Sequence, residues 1–160
     1  KECLMIASSV WQHASDNSII EHILARYHQV HRQQLADILQ LTEKVSITHS
    51  AQFPAAVLPL LQNLQVELIN HMLKEERVLF PMILNGARTN AAMPIQVMRH
   101  EHDEHTEAVA QLLIHTNNLT PPSNACGSWQ RLYSDLDTLF TDLREHIALE
   151  NGILFSRTLA

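Results

Sequence analysis

The chain has 160 residues, 46% of them hydrophobic and only 3 of them glycine, with a formal net charge of -6. That length suits one domain with a sizeable core, the composition excludes a disordered chain, and an acidic balance without a basic patch argues against nucleic acid as a partner. The 2 cysteines, Cys3 and Cys126, lie far apart, which fits a reducing compartment rather than a disulfide scaffold, and no run approaches the roughly 18 apolar residues of a membrane span.

The first 15 or so residues show no clear period, lack a cleavable-signal pattern and lack an initiator Met, so residues 1–16 read as an arm or the remnant of a missing N-terminal domain. Residues 17–160 read as one domain. Ser15, Asp16, Asn17 and Ser18 are N-cap residues. After them Ile19, Ile23, Tyr27, His28, His31, Leu35 and Ile38 recur at helical spacing, which predicts a helix over about 18–45, followed by a loop over 46–53. Pro54 and Pro59 suit a helix start. A second helix then runs to about Leu84, with Pro81 expected to kink its end and Asn85-Gly86 to cap it. Asn90 is the expected cap of a third helix, with Pro94 in its first turn and an end near Asn117. Thr120-Pro121-Pro122-Ser123-Asn124 separates it from a fourth, over about 125–158. No segment alternates like a strand. The expected fold is all-α, an antiparallel up-down-up-down four-helix bundle.

Histidine is the unusual residue. There are 11, as many as lysine and arginine together, which raises the expectation of metal binding. Two of them head near-copies of one phrase. His71 and Glu75 are followed by Val78-Leu79-Phe80, and His146 and Glu150 by Ile153-Leu154-Phe155. On a helix, residues four apart share a face, so each copy aims an imidazole and a carboxylate the same way. The pattern widens: Tyr27-His28-x-x-His31 in the first helix answers Glu101-His102-x-x-His105 in the third. The offset is 74 residues between His28 and His102, and 75 for both His71/His146 and Glu75/Glu150. The chain therefore reads as two helix pairs related by an approximate two-fold axis.

One inward histidine per helix gives His28, His71, His102 and His146, and the twins add Glu75 and Glu150. Two metals held about 3.5–4 Å apart could each take two imidazoles and share both carboxylates. Such a set suits iron, manganese or zinc more than copper(I). It leaves coordination positions open for an oxo or hydroxo bridge, dioxygen, nitric oxide or water. A lone histidine on an apolar face is more often a satisfied core residue, and a single His-x-x-x-Glu more often a surface pair. Six such groups at one depth would be costly to bury without a metal, and that decides for the site. His31 and His105 could orient ligands, line an access route, or be plain boundary residues. His13, His22, His49, His100 and His115 are expected to face solvent. Glu101 or Asp103 could orient an imidazole. The Glu-x-x-His pairs of ferritin-like bundles and the zinc-protease His-Glu-x-x-His are absent, as is any hydrolase or transferase motif.

With these residues placed, the chain resembles the hemerythrin-like family and, within it, the RIC (repair of iron centres) proteins. The phrases that carry the likeness are residues 23–32, His71-Met72-Leu73-Lys74-Glu75-Glu76 with Leu79-Phe80-Pro81, Glu101-His102-Asp103-Glu104, and residues 146–151. The resemblance implies a non-haem centre of two Fe ions, oxo- or hydroxo-bridged, held by the same six residues. It implies repair of iron–sulfur clusters damaged by nitrosative or oxidative stress, through iron donation or nitric oxide handling, in a bacterial cytoplasm. The implied partners are damaged or apo iron–sulfur proteins and nitric oxide or dioxygen; homodimerisation is left open. RIC proteins usually carry an extra N-terminal domain with a Cys-Cys pair, which Cys3 does not match, so the chain reads as a truncated or standalone relative. Ser156 replaces the proline of the twin motif and should leave the last helix straighter.

The alternative within the family is an oxygen-binding or oxygen-sensing domain. Oxygen carriers have a His four residues after the third-helix ligand and an Asp five after the fourth, where this chain has Thr106 and Asn151. One nitrogen ligand fewer favours a more open, labile iron site.

Overall fold

The structure is a computed structural model and describes residues 10–160. Cys3, and most of the expected arm, lie outside the described residues. Four long helices form the bundle. Helix α1 runs Asp16–His22, passes through a π-helical turn at Ile23–His28 and continues as Gln29–Thr48. Helix α2 runs Val57–Lys74, then a π-helical turn Glu75–Leu79, then Phe80–Leu84. Helix α3 is Arg88–His115, and α4 is Gly127–Leu149 with a π-helical turn Glu150–Phe155 and a last turn Ser156–Leu159. The helices pack α1 on α2 and α4, α2 on α3, and α3 on α4.

The ends follow local chemistry. Ser15 caps α1, its Oγ accepting the Ser18 N–H at 3.1 Å. Helix α1 runs three residues past its predicted end, to Thr48, and α2 begins at Val57, so the loop shifts from the expected 46–53 to residues 49–56. Helix α3 starts at Arg88 rather than after Asn90, and Pro94 lies inside it. The carbonyl that loses its partner there belongs to exposed Asn90, where water can substitute. Helix α2 continues through Pro81 to Leu84. The same widened turn precedes it on α2 and precedes Ser156 on α4, so that turn does not depend on the proline.

Gly86, at φ +73°, closes α2 in the left-handed conformation, with open space where a Cβ would sit. The Gly86→Ala variant should therefore lose about 1–2 kcal/mol from backbone strain alone, read as a lower urea midpoint with an unchanged slope. The α3–α4 loop uses three successive left-handed residues, Asn117, Asn118 and Leu119. Leu119 is the costly one. Its N–H donates to Thr116 Oγ1 at 3.1 Å and its side chain packs against the core.

The core has two parts. One joins Leu35, Leu61, Leu64, Leu68, Leu112, Leu136, Leu139 and Phe140. The other joins Ile19, Ile23, Leu79, Phe80, Ile95, Met98, Leu154 and Phe155. The second draws on the early parts of α1 and α3 and the late parts of α2 and α4, as antiparallel neighbours require. Each buried Leu or Ile contributes about 1.5–3 kcal/mol. Between the two clusters, every helix carries a polar layer: His28 and His31, His71 and Glu75, His102 and His105, His146 and Glu150, each at most 1% exposed. No described helix is long and apolar enough to cross a membrane.

Candidate di-metal centre

All six residues singled out by spacing meet in that layer. His28 Nε2 and His71 Nε2 approach the same oxygen, Glu75 Oε1, at 3.2 and 3.3 Å. His102 Nε2 lies 2.9 Å from Glu150 Oε1, and His146 Nε2 lies 3.2 Å from Glu150 Oε2. Two donor groups result, His28/Glu75/His146/Glu150 and His71/Glu75/His102/Glu150, each with one atom per residue within 4.8 Å of the others. Both carboxylates belong to both groups.

These contacts are close but not aligned as hydrogen bonds. Among the described residues, ten buried side-chain nitrogens and oxygens have no hydrogen-bond partner, and eight of them are the four Nε2 atoms and the four Glu75 and Glu150 oxygens. Unpartnered, each such atom costs about 1–3 kcal/mol. Eight would rival the net stability of about 5–15 kcal/mol that a whole domain has. Cations placed among them remove that cost. Imidazole with carboxylate is a donor set that iron accepts, so the cluster fits an iron centre with two positions, each offered two nitrogens and two shared carboxylates.

The local fold serves this convergence. The widened turn of α1 ends at His28, and those of α2 and α4 begin at Glu75 and Glu150. In such turns the N–H bonds five residues back, as Phe80 N–H does to Glu75 O, and they gather at functional sites. Sequence periodicity gave no sign of them.

With Nε2 turned inward, each Nδ1–H has an outer partner. His28 donates to Glu76 Oε2 at 2.6 Å, and Arg32 holds Glu76 through both oxygens at 2.9 and 3.0 Å. His71 donates to Glu101 Oε1 at 3.0 Å, with Lys74 on the other oxygen. His102 donates to Asn151 Oδ1 at 2.8 Å, and His146 to His31 Nε2 at 3.1 Å. Partners of this kind fix ring tautomer and orientation. Of the two acids expected to play this part, Glu101 does and Asp103 is exposed. Glu76 and Asn151 were missed, although each directly follows a twin glutamate. Thr106 is turned away, its Oγ1 donating to His102 O at 3.0 Å.

The electrostatics of the metal-free layer follow from burial opposed by charge. Burial disfavours the His71 cation, but Glu75, Glu150 and Glu101 outweigh it and raise its pKa to about 9. His28 is raised in the same way, against burial, by Glu75, Glu150 and Glu76. Glu150 stays well below the usual carboxylate range, because His146 and His102 overcome its desolvation. His31 and His105 lack such compensation. Burial, with His146 beside one and His71 and His102 beside the other, lowers each to about 3. The reading of these two as boundary residues is thus excluded, since both are interior and neutral. His13, His100 and His115 are exposed as expected. His22 and His49 are half-buried, His22 against Trp11 and His49 against Trp129, where its Nε2 lies 3.2 Å from Cys126 Sγ.

Residues 19–158 match the family model described as the hemerythrin HHE cation binding domain. The chain belongs to the hemerythrin HHE family. Its hemerythrin-like bundle is also similar in sequence to named repair proteins. It is 50% identical to the iron-sulfur cluster repair protein DnrN of Neisseria gonorrhoeae, covering 94% of this chain and 96% of that one. It is 47% identical to the iron-sulfur cluster repair protein YtfE of Cronobacter sakazakii, over 94% of this chain and 69% of that one. A probable iron-sulfur cluster repair protein of Haemophilus influenzae is 45% identical, over 93% and 68%.

Proposed function

We propose that the chain is a non-haem di-iron protein of iron–sulfur cluster repair, with His28, His71, Glu75, His102, His146 and Glu150 as its iron ligands. The observation that carries the reading is the set of eight buried, partnerless donor atoms drawn from two shared carboxylates and four imidazoles. The relatives' names supply the process. When bound, iron at this site supplies ligand exchange and one-electron chemistry. The protein's own part is to present the donors, hold each ring with Nε2 turned inward through its outer Nδ1–H partner, and exclude water with the two apolar clusters on either side. Four imidazoles across two metals leave positions free for exchange, which suits delivery of iron to damaged clusters or capture of nitric oxide. Its partners in this reading are damaged or apo iron–sulfur proteins in a bacterial cytoplasm.

The test mixes the iron-loaded, reduced protein with an iron–sulfur dehydratase inactivated by nitric oxide. Recovery of dehydratase activity and of its cluster absorption is expected, and the Glu150→Leu variant should give none. Equal recovery with wild type, Glu150→Leu and free ferrous ion at the same concentration would overturn the proposal.

A further inference from the structure

The two halves of the site repeat, but their outer partners do not. By the repeat, His31 corresponds to His105, Glu76 to Asn151, and Tyr27 to Glu101. Glu76 and Asn151 play matching parts, one behind His28 and the other behind His102. The remaining pair breaks the symmetry. Behind His146 stands His31 at 3.1 Å. Behind His71, the equivalent His105 has been displaced. Glu101 takes the His71 Nδ1–H, and the Nδ1 of His105 is buried with no partner. The cause is one residue. Tyr27, where the other half has Glu101, brings no carboxylate and instead stacks flat on the His146 ring, 5.2 Å away at 6°.

The hydrogen bonds behind His146 run on in one direction. His146 Nδ1–H donates to His31 Nε2, which leaves His31 Nδ1–H to donate to Gln34 Oε1 at 3.1 Å. Gln34 Nε2 donates to Asp142 Oδ2 at 2.9 Å, and Arg26 anchors Asp142 Oδ1 at 2.9 Å. Each link fixes the tautomer or amide orientation of the one before it. The chain ties α1 to α4 and ends at a side chain that reaches solvent.

We infer that His31, held by Gln34 and Asp142, is a positioning residue for His146 alone, so that it supports one metal position of the two while its repeat partner His105 supports neither. The inference rests on the ligand assignment proposed above. Losing an outer partner of this kind typically lowers metal affinity about 10–100-fold. That loss should fall on the His28/His146 position and spare the His71/His102 position.

Anaerobic titration of the metal-free chain with ferrous ion separates these outcomes, with the 57Fe Mössbauer spectrum reporting each position. Wild type should take two ions. The His31→Leu variant should bind one ion as before and the other about 10–100-fold more weakly. His105→Leu should bind both like wild type. His31→Gln, which keeps an acceptor, should recover most of the loss. In a double-mutant cycle the His31→Leu effect should vanish in a His28→Ala background and persist in a His71→Ala background. Should His31→Leu fail to fold, Gln34→Leu cuts the chain one link out and should weaken the same position to a smaller extent. Unchanged binding of both ions by His31→Leu and Gln34→Leu, or equal losses from His31→Leu and His105→Leu, overturns the inference. A wild-type chain that does not take two ions instead overturns the ligand assignment itself.

Discussion

Replacing Glu75 with leucine should abolish the binding of both metals, whereas replacing His28 with alanine should abolish only one. The difference lies in what each side chain touches. One oxygen of Glu75 faces His28 and His71 together, and the residue belongs to both donor groups, while His28 belongs to one. Leucine leaves each position with three donors of the four, and removes one of the two buried carboxylates that would face the cations. The expected loss exceeds the roughly 10–100-fold that removal of an outer partner costs, since on the proposed assignment a ligand shared by two ions would be removed. Iron analysis after gel filtration reads the result: near two ions per chain for wild type, one for His28→Ala and close to none for Glu75→Leu. A Glu75→Leu chain that still holds one ion tightly would show that the carboxylates serve separate metals and do not bridge.

The metal-free chain should be acid-labile well above the pH at which its carboxylates protonate. His31 and His105 titrate near 3 when folded, and an unfolded histidine near 6.5. The unfolded state therefore binds protons first. Stability is intact above pH 6.5 and is lost progressively as pH falls toward about 3, by up to roughly 4–5 kcal/mol per residue at 1.36 kcal/mol per unit. His71 has the opposite sign. Its raised folded pKa contributes stability that is full below pH 6.5 and is lost as pH rises through about 9. The apo protein should thus be most stable near neutrality. The His105→Leu variant should unfold at a lower pH than wild type in an acid titration followed by circular dichroism. The proton held by His71 also has to leave when iron enters, so loading at pH 7.5 should release at least one proton per chain, measurable calorimetrically in buffers of different ionisation enthalpy.

Most of the fold was legible because each helix carries its own period and its own ends. The apolar stripe of Ile19, Ile23 and Leu35, the caps at Ser15, and the Thr120–Asn124 break are all local signals. The six converging residues were legible for a different reason. A His-x-x-x-Glu that occurs twice at an offset of 75, with further histidines repeating at 74, constrains the three-dimensional arrangement as a single copy cannot.

What stayed hidden depends on tertiary geometry. Asp142, on the α4 face that meets α1, gives no sequence sign that it anchors Gln34 and Arg26. The π-helical turns at Ile23–His28, Glu75–Leu79 and Glu150–Phe155 leave no mark on the apolar spacing. The unequal fates of His31 and His105 turn on whether the residue before the ligand is Tyr27 or Glu101, which only the packed layer reveals.

On the proposed assignment, one chain holds two iron ions between its twin His-x-x-x-Glu motifs. Metal analysis of the freshly purified protein, joined to Mössbauer spectra of the 57Fe-loaded chain, reads this stoichiometry and its coupling. Two irons per chain, magnetically coupled and coordinated by nitrogen and oxygen, are expected, with both lost together in Glu150→Leu. A single iron, or two uncoupled ions that survive Glu150→Leu, would contradict it.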